Sequence, residues 1–104
     1  MPEAELQAQV IELATMLGWL EYHTHDSRRS REGFPDLVLV HEATGALIFA
    51  ELKRDGKRPT AEQYRWLYAL ERRHAAYIWT PQNLRSGLIG HQLQEAVRRL
   101  TVPT

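Results

Sequence analysis

The chain reads as an α/β protein, a small mixed β-sheet with an α-β-β-β-α-β core flanked by helices. Three observations carry this reading. A helical period runs through residues 3–17. Two short apolar, β-prone runs flank Glu42-Ala43-Thr44-Gly45 and suit a tight hairpin. A second helical stretch then separates that hairpin from a further apolar run at 76–79, which calls for a crossover onto the same sheet. A chain of 104 residues is expected to form one domain, 1–104, around one core.

Taken in order, the first helix spans 3–17, with Leu6, Val10, Leu13, Ala14 and Leu17 on one face and Gly18 in a C-cap position. Trp19-Leu-Glu-Tyr-His-Thr alternates and suits a first strand. His25 to Gly33 is polar and unpatterned, an exposed loop. The hairpin strands fall at about 36–41 and 46–52. After the loop Asp55–Pro59, Thr60 serves as N-cap with Gln63 at capping-box spacing. That helix runs to about His74 and buries Tyr64, Leu67, Tyr68 and Leu70. Ala76–Trp79 is the last core strand, suited to parallel pairing through a right-handed crossover. Residues 88–100 form a final helix with Leu88, Leu93, Ala96, Val97 and Leu100 inward, and the tail 101–104 is loose.

Composition narrows the function classes. No apolar run approaches a membrane span, and no basic region followed by an apolar stretch marks a signal peptide. The absence of cysteine excludes disulfides and thiolate metal sites and fits a reducing cytoplasm. A net charge of zero argues against a general DNA coat, yet the charge is unevenly spread. Residues 1–27 hold five acids and no Lys or Arg; the rest hold thirteen basic residues against eight acids. Two basic clusters, Arg28, Arg29 and Arg31, then Lys53, Arg54, Lys57 and Arg58, bracket one carboxylate pair. Either alone reads as a solvated loop. Together around Asp36 and Glu51 they suit phosphate, with binding that weakens as salt rises.

The pair itself is the centre of the reading. With a turn near Thr44, Asp36 lies across from position 51 or 52, about 4.5–5.5 Å apart at Cβ if directly paired. Alternation sends Glu51 and Lys53 to one face. Two carboxylates beside an ammonium suit a hard divalent cation next to a phosphate, with the Leu52 carbonyl as a further oxygen ligand. Such a metal polarises a phosphoryl oxygen and generates a nucleophile from water, and Lys53 can neutralise transition-state charge. The alternative is a surface Asp and a solvated Glu-x-Lys pair, which is worth little.

Gly33-Phe34-Pro35-Asp36-Leu37-Val38-Leu39-Val40 followed by Phe49-Ala50-Glu51-Leu52-Lys53 resembles the PD-(D/E)xK nuclease superfamily, and within it the VRR-NUC family of small phage and bacterial nucleases. The likeness extends to Gly18-Trp19, His23-Thr-His-Asp-Ser-Arg-Arg, Pro59-Thr60-Ala61-Glu62-Gln63 and Trp79-Thr80-Pro81, over roughly residues 3–82. The resemblance implies a restriction-endonuclease-like fold, metal ligands at Asp36 and Glu51, a catalytic Lys53 and an active-site Gln63. It also implies Mg²⁺ or Mn²⁺, DNA as substrate with a preference for branched or Holliday-junction forms, and a homodimer. One position departs. Where many relatives carry a first-helix glutamate, this chain has Gln7, with Glu3 one turn earlier on the same face as a weak substitute.

Other constellations are weaker. His23-x-His25-Asp26 lacks two further metal ligands, so His23, Asp26 and Ser27 are candidates for substrate contact only. Gln63 also reads as a capping residue alone. Trp19, Trp66 and Trp79 lie on apolar periods and are expected in the core. The leading expectation is a metal-dependent endodeoxyribonuclease in the cytoplasm of a bacterial cell or a phage-infected host. The alternatives are a catalytically weak DNA-binding module and a nuclease subunit that needs a protein partner.

Overall fold

The computed structural model describes residues 1–24 and 31–100. Its elements follow in the order α1 (Glu3–Met16), β1 (Trp19–His23), β2 (Leu37–His41), β3 (Leu47–Leu52), α2 (Ala61–Glu71), β4 (Ala75–Trp79), α3 (Pro81–Arg85) and α4 (Leu88–Leu100). The four strands form one sheet in sequence order, antiparallel from β1 to β3 and parallel between β3 and β4. The mixed sheet and its helical flanks are therefore as expected, with α3 added.

Alternation builds the core. Leu37 and Leu39 of β2, and Ile48, Ala50 and Leu52 of β3, are all buried. They meet Leu6, Val10 and Ala14 of α1 and Ile89 and Leu93 of α4 in one apolar cluster. Phe49, which alternates with Ile48 and Ala50, faces the other way and meets Phe34 and His74 edge-on. α2 packs on β3 and β4, so helices cover both sides of the sheet.

The ends of α1 and of the hairpin are joined by one side chain. Gly18 adopts φ +91° just past α1, and His41 closes over it. The His41 ring bonds the Thr44 hydroxyl at 2.9 Å and the Leu17 carbonyl at 3.2 Å. A histidine that carries no message in the sequence thus ties the first helix to the hairpin turn.

Several expectations need correction. On α2 only Leu67 is buried; Tyr64 and Leu70 are half-buried and Tyr68 is exposed, because Tyr64 and Tyr68 stack on each other along an outer flank. α2 ends at Glu71, three residues short of the expected His74: past it the Arg73 N–H tightens onto the Leu70 carbonyl, which also takes the His74 N–H, and β4 begins at Ala75. On α4 the inward stripe is the buried Ile89 and Leu93 with the half-buried Ala96 and Val97, so Leu88 sits on its flank and Leu100 at the helix end, both exposed. Trp19 and Trp79 are core residues, but Trp66 is only half-buried. The tail 101–104 lies outside the described residues. Among the described residues no helix is long and apolar enough to cross a membrane.

Candidate active site

The hairpin register decides what faces what. One step beyond the Leu37–Ala50 pair sets Asp36 against Glu51, the first of the two partners the sequence allowed. Pro35 is fully buried, and Asp36 Oδ2 accepts a hydrogen bond from the Leu52 N–H at 2.8 Å. Asp36 is thus fixed to the strand it faces. Gly33 anchors the approach: its φ is +87°, and a Cβ there would lie 2.7 Å from the Glu62 carbonyl oxygen and 2.9 Å from Trp66 Cδ1. Only glycine lets the segment leading to Asp36 pass so close to α2.

Glu51 is 1% exposed, and among the described residues neither of its carboxylate oxygens has a hydrogen-bond partner. A buried polar group without a partner is costly, and a buried charge more so. Burial first, then the adjacent Asp36 carboxyl group and its charge, push the Glu51 carboxyl from 4.5 up to about 9; Glu3 adds to this and Lys53 opposes it. Two acceptor-only groups side by side call for a shared proton or a cation between them.

The donor set tests which cation fits. It is all oxygen, which suits Mg²⁺ or Mn²⁺ and not a thiolate- or imidazole-seeking metal. Among the described residues no group of three or more His, Cys, Asp or Glu could hold a metal. A site of two carboxylates, completed by water and phosphate, is what Mg²⁺ ordinarily takes.

The remaining candidates divide. Lys53 follows β3 directly, is half-buried, anchors its N–H on the Trp79 carbonyl at 3.0 Å, and has no ion pair among the described residues. Gln63 is committed to a capping box: its Oε1 accepts from the Thr60 N–H at 2.8 Å, and its N–H donates to Thr60 Oγ1 at 3.2 Å. The side-chain amide NH₂ is the part left for a ligand. Gln7 is half-buried and Glu3 exposed on the α1 stripe that carries Leu6 and Val10, with Glu3 near enough for its charge to act on Glu51. Arg31, Arg54, Lys57 and Arg58 are exposed. Arg54, Asp55, Gly56 and Lys57 line a cleft of about 320 Å³ with Met1, which brings the start of α1 beside the loop after β3. The His23 Nδ1 lies 2.7 Å from Glu21 Oε2 on the same strand. Asp26, Ser27, Arg28 and Arg29 lie outside the described residues.

One supporting element escaped the sequence reading. Asp55 Oδ1 accepts from the Gln82 N–H at 3.0 Å and Oδ2 from the Arg85 guanidinium at 3.0 Å, pinning the loop after β3 to α3. The signal for α3 was present: Thr80 as N-cap, Pro81 in the first turn, and Asn83 completing a capping box.

These features converge on a known family. The VRR-NUC domain model matches residues 3–80, three quarters of the chain. The chain belongs to the VRR-NUC family. It carries a nuclease-type domain. A solved structure of a VRR-NUC domain superposes with a TM-score of 0.71 at 24% identity, covering 86% of this chain and 95% of the other. A second, of a VRR-NUC domain protein, gives 0.65 at 18%, covering 92% and 90%. At these identities the likeness is one of fold. No curated protein matches.

Proposed function

We propose that this VRR-NUC chain is a Mg²⁺- or Mn²⁺-dependent endodeoxyribonuclease that hydrolyses phosphodiester bonds, with a preference for branched DNA. The observation that carries the proposal is Glu51: a buried carboxylate with two unpartnered oxygens, set against Asp36 at the end of a strand. A fold under selection for stability alone has no use for such a group, whereas a cation site requires it.

Asp36 and Glu51 would hold the cation, with the Leu52 carbonyl as a further oxygen. Once bound, the cation supplies Lewis-acid polarisation of the phosphoryl group and a more acidic water. The protein supplies the rest. The Leu52 N–H orients Asp36 by donating to its Oδ2, which leaves Oδ1 for the cation. Glu51 would hold the cation as the deprotonated carboxylate. Lys53, next to the pair and without an ion pair among the described residues, would donate to the attacking water or to the charge developing on the phosphoryl oxygens. The Gln63 amide NH₂ positions water or phosphate while its Oε1 keeps the cap. Glu3 reinforces the negative field from α1, in place of the glutamate absent at Gln7.

The exposed Arg31, Arg54, Lys57 and Arg58, together with Arg28 and Arg29 and more weakly His23, Asp26 and Ser27, would meet phosphate along the strand. A homodimer enlarges a small footprint and offers two sites to a symmetric junction. Capping of Gln63 and the Gln7 substitution favour a second reading, a weakly catalytic module or a subunit completed by a partner.

Cleavage of labelled four-way junction, flap, single-stranded and duplex DNA decides between them. Reactions in Mg²⁺, Mn²⁺ and EDTA, with Lys53→Ala as control, are expected to show cutting that needs both metal and Lys53. Junction binding without cutting would move the assignment to the second reading.

A further inference from the structure

Trp66 stands apart from the two core tryptophans. Its Nε1–H donates to the Glu32 carbonyl at 3.1 Å, and its ring meets Phe34 edge-on at 5.2 Å and 79°. Beside it opens a cavity of about 220 Å³ lined by Arg31, Glu62, Arg65, Trp66 and Ala69. Glu62, Trp66 and Ala69 recur at i, i+4 and i+7, so they share one face of α2. Arg65 is held on the rim by Glu62 at 3.4 Å, and Arg31 is exposed with no ion pair among the described residues. An aromatic wall between two guanidinium groups is a surface for a base and its phosphate. An apolar peptide would use the indole but leave Arg31 unanswered.

Its position connects it to the carboxylates. Gly33 touches the Trp66 ring, and Asp36 lies three residues further on, at most about 11 Å along the chain. We propose that this cavity takes an unpaired nucleobase of the substrate, a nucleotide or two from the phosphate at Asp36 and Glu51. The inference rests on the nuclease reading and gives it a physical source of preference: junctions and flaps expose unpaired bases, and uninterrupted duplex does not.

The test is binding of oligothymidylate and of duplex DNA of the same length in EDTA, by anisotropy and by tryptophan fluorescence. Trp19 and Trp79 are 3% and 0% exposed, so quenching by oligothymidylate reports Trp66. Trp66→Leu is expected to lower the single-strand-to-duplex affinity ratio by about 5- to 100-fold, the range for one base stacked on an aromatic ring. Trp66→Phe should keep most of the ratio. Ala69→Leu, at an exposed helical position, fills the cavity without touching the core, lowers the ratio in the same direction, and decides the matter if Trp66→Leu does not fold. An unchanged ratio in Ala69→Leu and in folded Trp66→Leu, or an equal loss on both ligands, overturns the cavity as a base site. If the wild type cuts with metal while the ratio stays fixed, only the cavity fails. If the wild type cuts nothing in Mg²⁺ or Mn²⁺, the nuclease reading fails instead.

Discussion

Glu51 and Asp55 are four residues apart and held in opposite ways. Asp55 is exposed, yet both its oxygens accept hydrogen bonds, and the Gln82 N–H and the Arg85 guanidinium hold its carboxyl below the usual range. Glu51 is buried, has no hydrogen-bond partner within normal geometry among the described residues, and is pushed up to about 9. The first carboxylate spends its charge on local structure, anchoring the loop after β3 to α3. The second keeps its two oxygens uncommitted at some cost to the fold, which is the property a cation site needs. Position along the strand makes the difference: Glu51 ends β3 among packed layers, whereas Asp55 lies in an open loop.

The largest effect should come from removing the uncommitted carboxyl group. Glu51→Gln preserves shape but withdraws a cation ligand, and cutting is expected to fall by at least about 10²-fold, as when a single group aimed at the transition state is lost. In EDTA the same variant should unfold at a higher temperature than the wild type near neutral pH. Wild-type cutting rates in Glu51→Gln would falsify the assignment of that residue.

A pH titration sharpens the contrast further. The folded Glu51 holds its proton more tightly than the unfolded chain, whose carboxyl titrates near 4.5. Between 4.5 and about 9 the folded state therefore binds more protons, so the metal-free protein loses stability as pH rises through that window. Urea unfolding at several pH values in EDTA should show this decline, and Glu51→Gln should flatten it. Saturating Mg²⁺ should oppose the decline at the alkaline end, because the cation binds the deprotonated form. A slope identical in wild type and variant would place the titrating group elsewhere.

Much of this was legible in the chain. Alternation and helical period located every strand and three of the four helices, and the turn at Glu42–Gly45 narrowed the partner of Asp36 to 51 or 52. The contrast between Glu51 and Asp55 was not legible, because burial at a strand end depends on what packs over it. α3 was passed over although Thr80-Pro81-x-Asn83 announces it, since five residues show no helical period. Trp66 misled for a related reason. An apolar period marks a helix face, but α2 turns only Leu67 fully inward.

A smaller effect tests how the Asp36 side of the pair is held. Gly33→Ala forces a methyl group against the Glu62 carbonyl and a residue with a side chain into φ +87°. A loss of about 2 kcal/mol or more is expected, from strain plus the clash, and is read by chemical denaturation. Cutting should fall with it at temperatures where the variant is still folded, because the backbone leading to Asp36 must move. A variant as stable as wild type would show that this segment can shift away from α2 freely.

Asp55→Asn should be the mildest change. The side-chain oxygen can still accept from the Gln82 N–H, but an NH₂ group replaces the oxygen that accepts from Arg85, so the contact with Arg85 is lost. Both groups are exposed, and exposed pairs contribute little. Cutting should stay near wild type, since Asp55 touches neither Asp36 nor Glu51 in the described contacts. Its signature is in acid. A carboxyl held below its ordinary value stabilises the fold above 3.8 and loses that contribution as pH falls through its folded value. Asp55→Asn should therefore reduce the acid-side loss of stability and leave the alkaline side untouched, the reverse of Glu51→Gln. Strong loss of cutting in Asp55→Asn would mean that α3 does more than anchor the loop, and that the two carboxylates are parts of one site.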